Sequence, residues 1–193
     1  MTPRRHRLVV VAPCTVEVVR RAGGWLFDRV MAGWDATVLV ADHTNARPLR
    51  ILGAGVANLE TALSVPPAGV AALSLPPAGP APQAMAVEAD LYEADERVRR
   101  LVRHALDAGT SEVWLWGDRR PAGGSVQHRL SVAARAFKAA ALTAASDASA
   151  PVAPTELFHW RRERSVTLLT ESEARGHPLN AARTAQRPRM LRG

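Results

Sequence analysis

Two short runs set the architecture: Leu8-Val9-Val10-Val11-Ala12-Pro13-Cys14-Thr15 and, further on, Ala36-Thr37-Val38-Leu39-Val40-Ala41-Asp42. Leu8–Ala12 is a continuous run of mostly β-branched residues stopped by Pro13, the pattern of a strand buried on both faces. From Thr15 to about Ala32, Val19, Ala22/Gly23, Leu26/Phe27 and Val30 recur at three- and four-residue steps, with Arg20, Arg21, Asp28 and Arg29 between them. That spacing predicts an amphipathic helix capped by Thr15 and ended by Gly33. Ala36–Ala41 is a second buried strand, halted by Asp42 and His43. Strand, helix and strand in so short a span make a βαβ unit, which pairs its strands in parallel through a right-handed crossover.

The same signals extend along the chain. Pro48–Gly53 suits one or two helical turns and Val56–Leu59 a third strand. Residues 64–82 repeat Pro-Pro-Ala-Gly at a ten-residue step, without helical or strand period, and read as a Pro-rich surface loop. Ala84, Glu88, Leu91, Asp95, Val98, Val102 and Ala105 fall at helical spacing, which predicts a helix over Ala84–Ala108. Ser111–Trp116 has strand composition and ends at Gly117-Asp118. A further helix is expected at Leu130–Ala145, with Leu130, Ala134, Phe137 and Ala141 on one face and Arg129, Arg135 and Lys138 elsewhere. Leu157–Trp160 and Ser165–Leu169 suit a late strand pair around the charged turn Arg161–Arg164. The expectation is a three-layer, Rossmann-like α/β domain with a mostly parallel sheet over residues 8–170. A basic N-terminal arm (1–7) and a disordered basic tail (171–193) flank it.

With 193 residues and 47% hydrophobic composition, the chain can fill one ordinary core. Its single cysteine, Cys14, excludes an internal disulfide and fits a reducing compartment. No apolar run reaches the length of a membrane span, so a cytoplasmic protein is expected. The net charge of +7 belongs to the ends. Residues 1–7 carry three arginines and residues 174–193 five, with no acid in either, which leaves 17 bases against 18 acids between them. A folded nucleic-acid binder concentrates its charge on its body, so nucleic acid is not the expected partner.

Ligands of an open parallel sheet bind outside the carboxyl ends of its strands. That rule selects Cys14, Thr15 and Glu17 after the first strand, Asp42 and His43 after the second, and Asp118 after the one containing Trp114 and Trp116. Thiol, carboxylate and imidazole are all zinc donors, although each of these residues also has an ordinary use. Glu17 suits a first-turn acid, Cys14 a small buried side chain and Asp42 a turn. His43, His128 and His159 are the histidines placed to act as ligands; His6 and His177 lie near the ends, and His104 reads as a helix-surface residue. Gly23-Gly24 lies inside the first helix and makes no phosphate loop. Trp114 and Trp116, two apart in a strand, share one face, where burial under a helix is the commoner fate than stacking on a sugar.

Residues 8–43 resemble the opening of the LmbE/PIG-L-type N-acetylglucosaminyl deacetylases. That family runs from a Val-rich strand into Ala-Pro-His-Pro-Asp-Asp-Glu, then Ala-Gly-Gly, a helix ending in Gly, and a strand ending in an acidic turn. Here Ala12-Pro13, Ala22-Gly23-Gly24, Gly33 and Ala36–Asp42 stand in register. Ile51-Leu52-Gly53-Ala54-Gly55-Val56 is similar to the family's Leu-Gly-Val, and His128–Leu142 to its late Lys-containing helix.

The resemblance implies a zinc site in which the family's His and second Asp bind metal and its first Asp is the general base. By position these become Cys14, Glu17 and Val16, with Thr15 replacing the second Pro. Val16 cannot accept a proton, and loss of a general base alone lowers a rate by about 10²–10⁴-fold. The family's later His box is missing, with Asp90–Asp95 its only remnant. The expectation is a diverged, non-catalytic domain without cofactor. It keeps a polar crevice for a small polar or sugar-like ligand or a protein partner. The alternatives are a zinc deacetylase using Cys14, Glu17 and His43 or His128, with Asp42 or Asp118 as substitute base, and a scaffold that binds acidic partners through its arginine-rich ends.

Overall fold

The computed structural model describes residues 6–64, 82–107, 109, 111–118, 124–147 and 149–161, with the backbone alone for Arg161. The first strand, β1 (Arg7–Cys14), leads directly into helix α1 (Thr15–Met31). Then come β2 (Asp35–Asp42), α2 (Arg47–Ile51), β3 (Gly55–Asn58) and α3 (Leu59–Leu63). Past the Pro-rich segment, β4 (Ala84–Glu88) is followed by α4 (Ala89–Ala94) and α5 (Glu96–Asp107). The chain continues through β5 (Glu112–Trp116), β6 (Ser125–Arg129), α6 (Val132–Ala144) and β7 (Thr155–Arg161).

Among the described residues the strands form one sheet in the order β3-β2-β1-β4-β5-β7-β6. Pairing is parallel from β3 through β5, and β7 runs antiparallel to both β5 and β6. The sheet is therefore mostly parallel, as expected. Successive side chains of a strand alternate between faces, which explains the unbroken hydrophobic run in β1. Leu8, Val10 and Ala12 pack with Val18 and Leu26 of α1, Leu49 of α2 and Leu142 of α6. Val9 and Val11 pack on the other face with Leu59 of α3, Tyr92 of α4 and Leu101 of α5. Helices on both faces make the expected three-layer α/β domain. Among the described residues no helix is long and apolar enough to cross a membrane.

Several local expectations are corrected. Ala84–Glu88 is not the start of a helix but a central strand, buried along its whole length between β1 and β5. A strand covered on both faces has no alternation to reveal it, and Ala, Met and Glu tolerate either conformation. Helix begins only at Ala89, where the Glu88 carboxylate accepts the amides of Asp90 (3.0 Å) and Leu91 (2.6 Å). Thr15 is the first residue of α1 and not its cap; Cys14, with extended backbone, holds the N-cap position without a side-chain hydrogen bond. Leu59 likewise opens α3 instead of ending β3, because Asn58 Oδ1 accepts the amide of Thr61 at 2.8 Å. Gly33 does end α1, at a φ of +89° that glycine adopts freely.

On α6 the expected faces are exchanged at two positions. Phe137 is 45% exposed and stacks on Phe27, whereas Lys138 is buried. Leu157–Trp160 belongs to β7 and pairs with β5 and β6. Strand β6 gave no signal because its residues are mostly exposed and polar. The Pro-rich residues 65–81, the first residues of the arm, Ser165–Leu169 and the tail lie outside the described residues.

Candidate functional site

The ends of the parallel strands place four side chains in adjacent positions. Cys14 closes β1 and is registered with Asp42 at the end of β2. Glu88 closes β4, next to β1, and is registered with Trp116 at the end of β5. Asp118 lies two residues past Trp116. The strand-end rule thus finds the row of positions, and the chemistry then depends on what each side chain binds.

Beside this row, charged side chains of α1 bind one another and Asp118. Glu17, in the first turn of α1, accepts from Arg20 Nη1 at 3.2 Å and from Arg21 Nε at 3.3 Å. Arg21 also forks onto the Asp118 carboxylate, with contacts of 2.5 and 2.6 Å. Arg20 reaches Asp147, just beyond α6, through two N–H groups at 2.8 and 3.2 Å. That Asp147 contact is the main cause raising the Arg20 pKa above its ordinary value. Two guanidinium groups therefore engage three carboxylates, Glu17, Asp118 and Asp147, around the start of α1, and Arg21 links that helix to the end of β5.

The remaining predicted residues are engaged separately. Asp42 is exposed and accepts from the amide (3.0 Å) and hydroxyl (2.7 Å) of Thr44, which hold its carboxyl below the usual range. His43 Nδ1 lies 3.1 Å from the Asn58 amide nitrogen. His128 is not at the strand-end row with Cys14; its Nε2 sits 2.8 Å from Asp28 near the end of α1. Cys14 is half-buried with a free thiol, and Val16 is half-buried in the first turn. Among the described residues no three His, Cys, Asp or Glu side chains gather as a metal requires. The zinc implied by the resemblance does not fit this donor arrangement, because Cys14, Glu17, His43 and His128 do not gather around a common point among the described residues.

Three participants were missed from the sequence. Arg20 and Arg21 stand three and four residues after Glu17, the spacing at which helical side chains meet, so that signal was present. Glu88 was hidden by the misread strand. Four buried polar atoms lack a hydrogen-bond partner among the described residues: Thr15 Oγ1, Trp116 Nε1 and both ring nitrogens of His159. Trp116 is fully buried as expected of a strand under a helix, whereas Trp114 is half-buried and packs on Trp160 with ring centroids 4.9 Å apart.

No protein-family model matches this chain, and no curated protein sequence does. Solved structures match its fold. A deacetylase–teicoplanin complex from the teicoplanin biosynthesis pathway superposes with a TM-score of 0.55 at 11% identity, covering 80% of this chain and 97% of that one. A conserved protein from Thermus thermophilus gives 0.53 at 18% identity over 79% and 93% of the two chains. GalB, the 4-carboxy-2-hydroxymuconate hydratase from Pseudomonas putida, gives 0.54 at 12% identity over 82% and 97%. These neighbours establish an LmbE/PIG-L-like α/β fold for the chain.

Proposed function

We propose that the chain is a non-catalytic binding domain on this fold, whose strand-end crevice takes a small polar ligand. The observation that supports this reading is Arg21, which bridges Glu17, the position that the resemblance gives to a metal ligand, and Asp118. A metal-dependent amide hydrolysis needs an acidified water and a positioned base. Here the position of the base is Val16, Glu17 and Asp118 are already matched with guanidinium groups, and Asp42 is held by Thr44. Arg20 and Arg21 keep part of their surface exposed, so hydroxyl or carboxylate groups of a ligand can compete for their N–H donors.

The test uses the full chain purified without chelator. Substoichiometric zinc, no acetate release from N-acetylglucosamine derivatives, and an Arg21-dependent thermal shift with amino sugars or sugar acids are the expected results. Stoichiometric zinc that disappears in Cys14→Ser, together with acetate release, would show a diverged zinc deacetylase instead.

A further inference from the structure

A second polar group stands unpaired away from the strand ends. Arg29, in the last turn of α1, has its guanidinium carbon 5.4 Å from the Trp25 ring centroid and 5.1 Å from that of Trp34. Contact with aromatic rings fixes such a group without using its five N–H donors. Among the described residues no hydrogen bond or ion pair engages the Arg29 guanidinium, and the Arg29 carbonyl accepts the Trp34 amide at 3.1 Å. The neighbouring acid, Asp28, is committed elsewhere: it accepts from Ser131 Oγ at 2.6 Å and the Ser131 amide at 3.2 Å, and it pairs with His128.

Arg29 lines a cavity of about 80 Å³ whose walls include Trp25, Trp114 and Phe158, with Val126 and Gln127 from edge strand β6. Trp25 and Phe158 pack with centroids 4.8 Å apart, which makes the inner wall aromatic. Val126 is 46% exposed, so the β6 side is open. A closed apolar cavity of about 150 Å³ holds a whole benzene; this one has about half that volume, so a ring enters it edge-first and keeps the rest of its surface outside on the β6 side. A ligand seated there meets aromatic surface at its body, and an unpaired guanidinium and the Gln127 amide at the lining.

From this juxtaposition we propose a binding site for a monocyclic aromatic carboxylate, with the ring against Trp114 and Phe158 and the carboxylate on Arg29. The site is separate from the strand-end crevice and does not depend on how that crevice is read. Because aromatic surface and a guanidinium lie together, the preferred ligand needs both a ring and an anion.

Benzoate is the probe, followed by quenching of intrinsic tryptophan fluorescence and by calorimetry on the full chain. The site predicts saturable binding with a Kd in the millimolar range, on the order expected of so small a ligand. Benzamide, with the ring but not the charge, and acetate, with the charge but not the ring, should each bind at least about 10-fold more weakly, which corresponds to 1.4 kcal/mol. Arg29→Gln should abolish the preference for benzoate over benzamide while leaving the far-UV circular dichroism unchanged. Equal binding of acetate and benzoate, a preference that survives Arg29→Gln, or no saturation would each overturn the proposal. If Arg29→Gln fails to fold, the comparison of benzoate, benzamide and acetate on the unmodified protein still decides it.

Discussion

Lys138 Nζ lies 2.7 Å from Glu156 Oε1, and both side chains are only 2% exposed. The pair joins three elements. Lys138 on α6 also donates to the carbonyl of Arg20 at 2.6 Å, while Glu156 on β7 accepts the amides of Gly24 (2.9 Å) and Trp25 (2.8 Å). Arg20 O and Gly24 N are the two ends of one i to i−4 rung of α1, and each has a partner from this pair. The chain's other 24 cationic side chains are arginines, and its only lysine is the one buried here. Burial pushes the Glu156 carboxyl up in pKa, against Lys138 and the two amides that favour its charge.

Removing one partner of such a pair strands a buried charge, which destabilises by about 3–5 kcal/mol. Lys138→Met is expected to fall in that range. Lys138→Met combined with Glu156→Gln removes both charges and keeps a carbonyl to accept an α1 amide, so it should recover most of the loss. Denaturant melts of the four-member cycle measure the coupling. A double variant no more stable than Lys138→Met alone would contradict the charge-stranding account.

Legibility in the sequence followed the range of the interaction. β1 and β2 could be read because their apolar runs and stop signals are local, and the same locality found the strand ends that place Cys14, Asp42 and Asp118. Lys138 was assigned to a polar face because nothing near it in sequence shows that Glu156 waits on a strand beyond the helix. β4 was lost because a strand buried on both faces differs from a helix only through its partners. The ion-pair pattern of the candidate site was half legible: Glu17 with Arg20 and Arg21 is a helical spacing, whereas Arg21 with Asp118 spans 97 residues.

The two central glycines of α1 should respond differently to alanine. A Cβ on Gly24 would fall 2.1 Å from Leu130 Cδ2 and 2.4 Å from its Cγ, so the buried leucine must leave its place. Overpacking of this kind destabilises by about 1–3 kcal/mol. A Cβ on Gly23 would meet Leu52 Cδ1 at 3.3 Å, which a small shift relieves, and alanine gains up to about 1 kcal/mol of helix propensity. Gly24→Ala should therefore melt well below the parent and Gly23→Ala close to it. Leu130→Ala added to Gly24→Ala should cost less than the two single losses summed, because the clash is gone. Strict additivity in the melts would show that Leu130 is not the obstacle.

Asp28 ties the end of α1 to the start of α6. Burial acts to raise its pKa, but the hydroxyl and amide of Ser131 and the imidazole of His128 outweigh it, and the carboxyl lies below its ordinary 3.8. The sign follows: a depressed folded pKa supplies stability above the unfolded value, and that stability is lost as pH falls through the folded one. Asp28→Asn should be less stable than the parent at pH 7, with the gap closing as pH drops below about 4. Thermal melts of both proteins across that range test it, and a gap independent of pH would remove the carboxylate from the explanation.

His159 gives the reverse case, a polar side chain whose removal should help. It is buried in β7, and neither Nδ1 nor Nε2 has a hydrogen-bond partner among the described residues. By register it lies opposite Leu115, whose side chain belongs to the α5-side core. An imidazole carries at least one N–H in either protonation state, and a buried donor left unpaired costs about 1–3 kcal/mol. Leucine has similar bulk and no polar atom, so His159→Leu should raise stability by about that amount. For a domain of this size that is several degrees in Tm, at roughly 2–4 °C per kcal/mol. Loss of stability in His159→Leu would mean that the ring has a bound partner, and proton exchange at its N–H, slow in the parent, would then locate it.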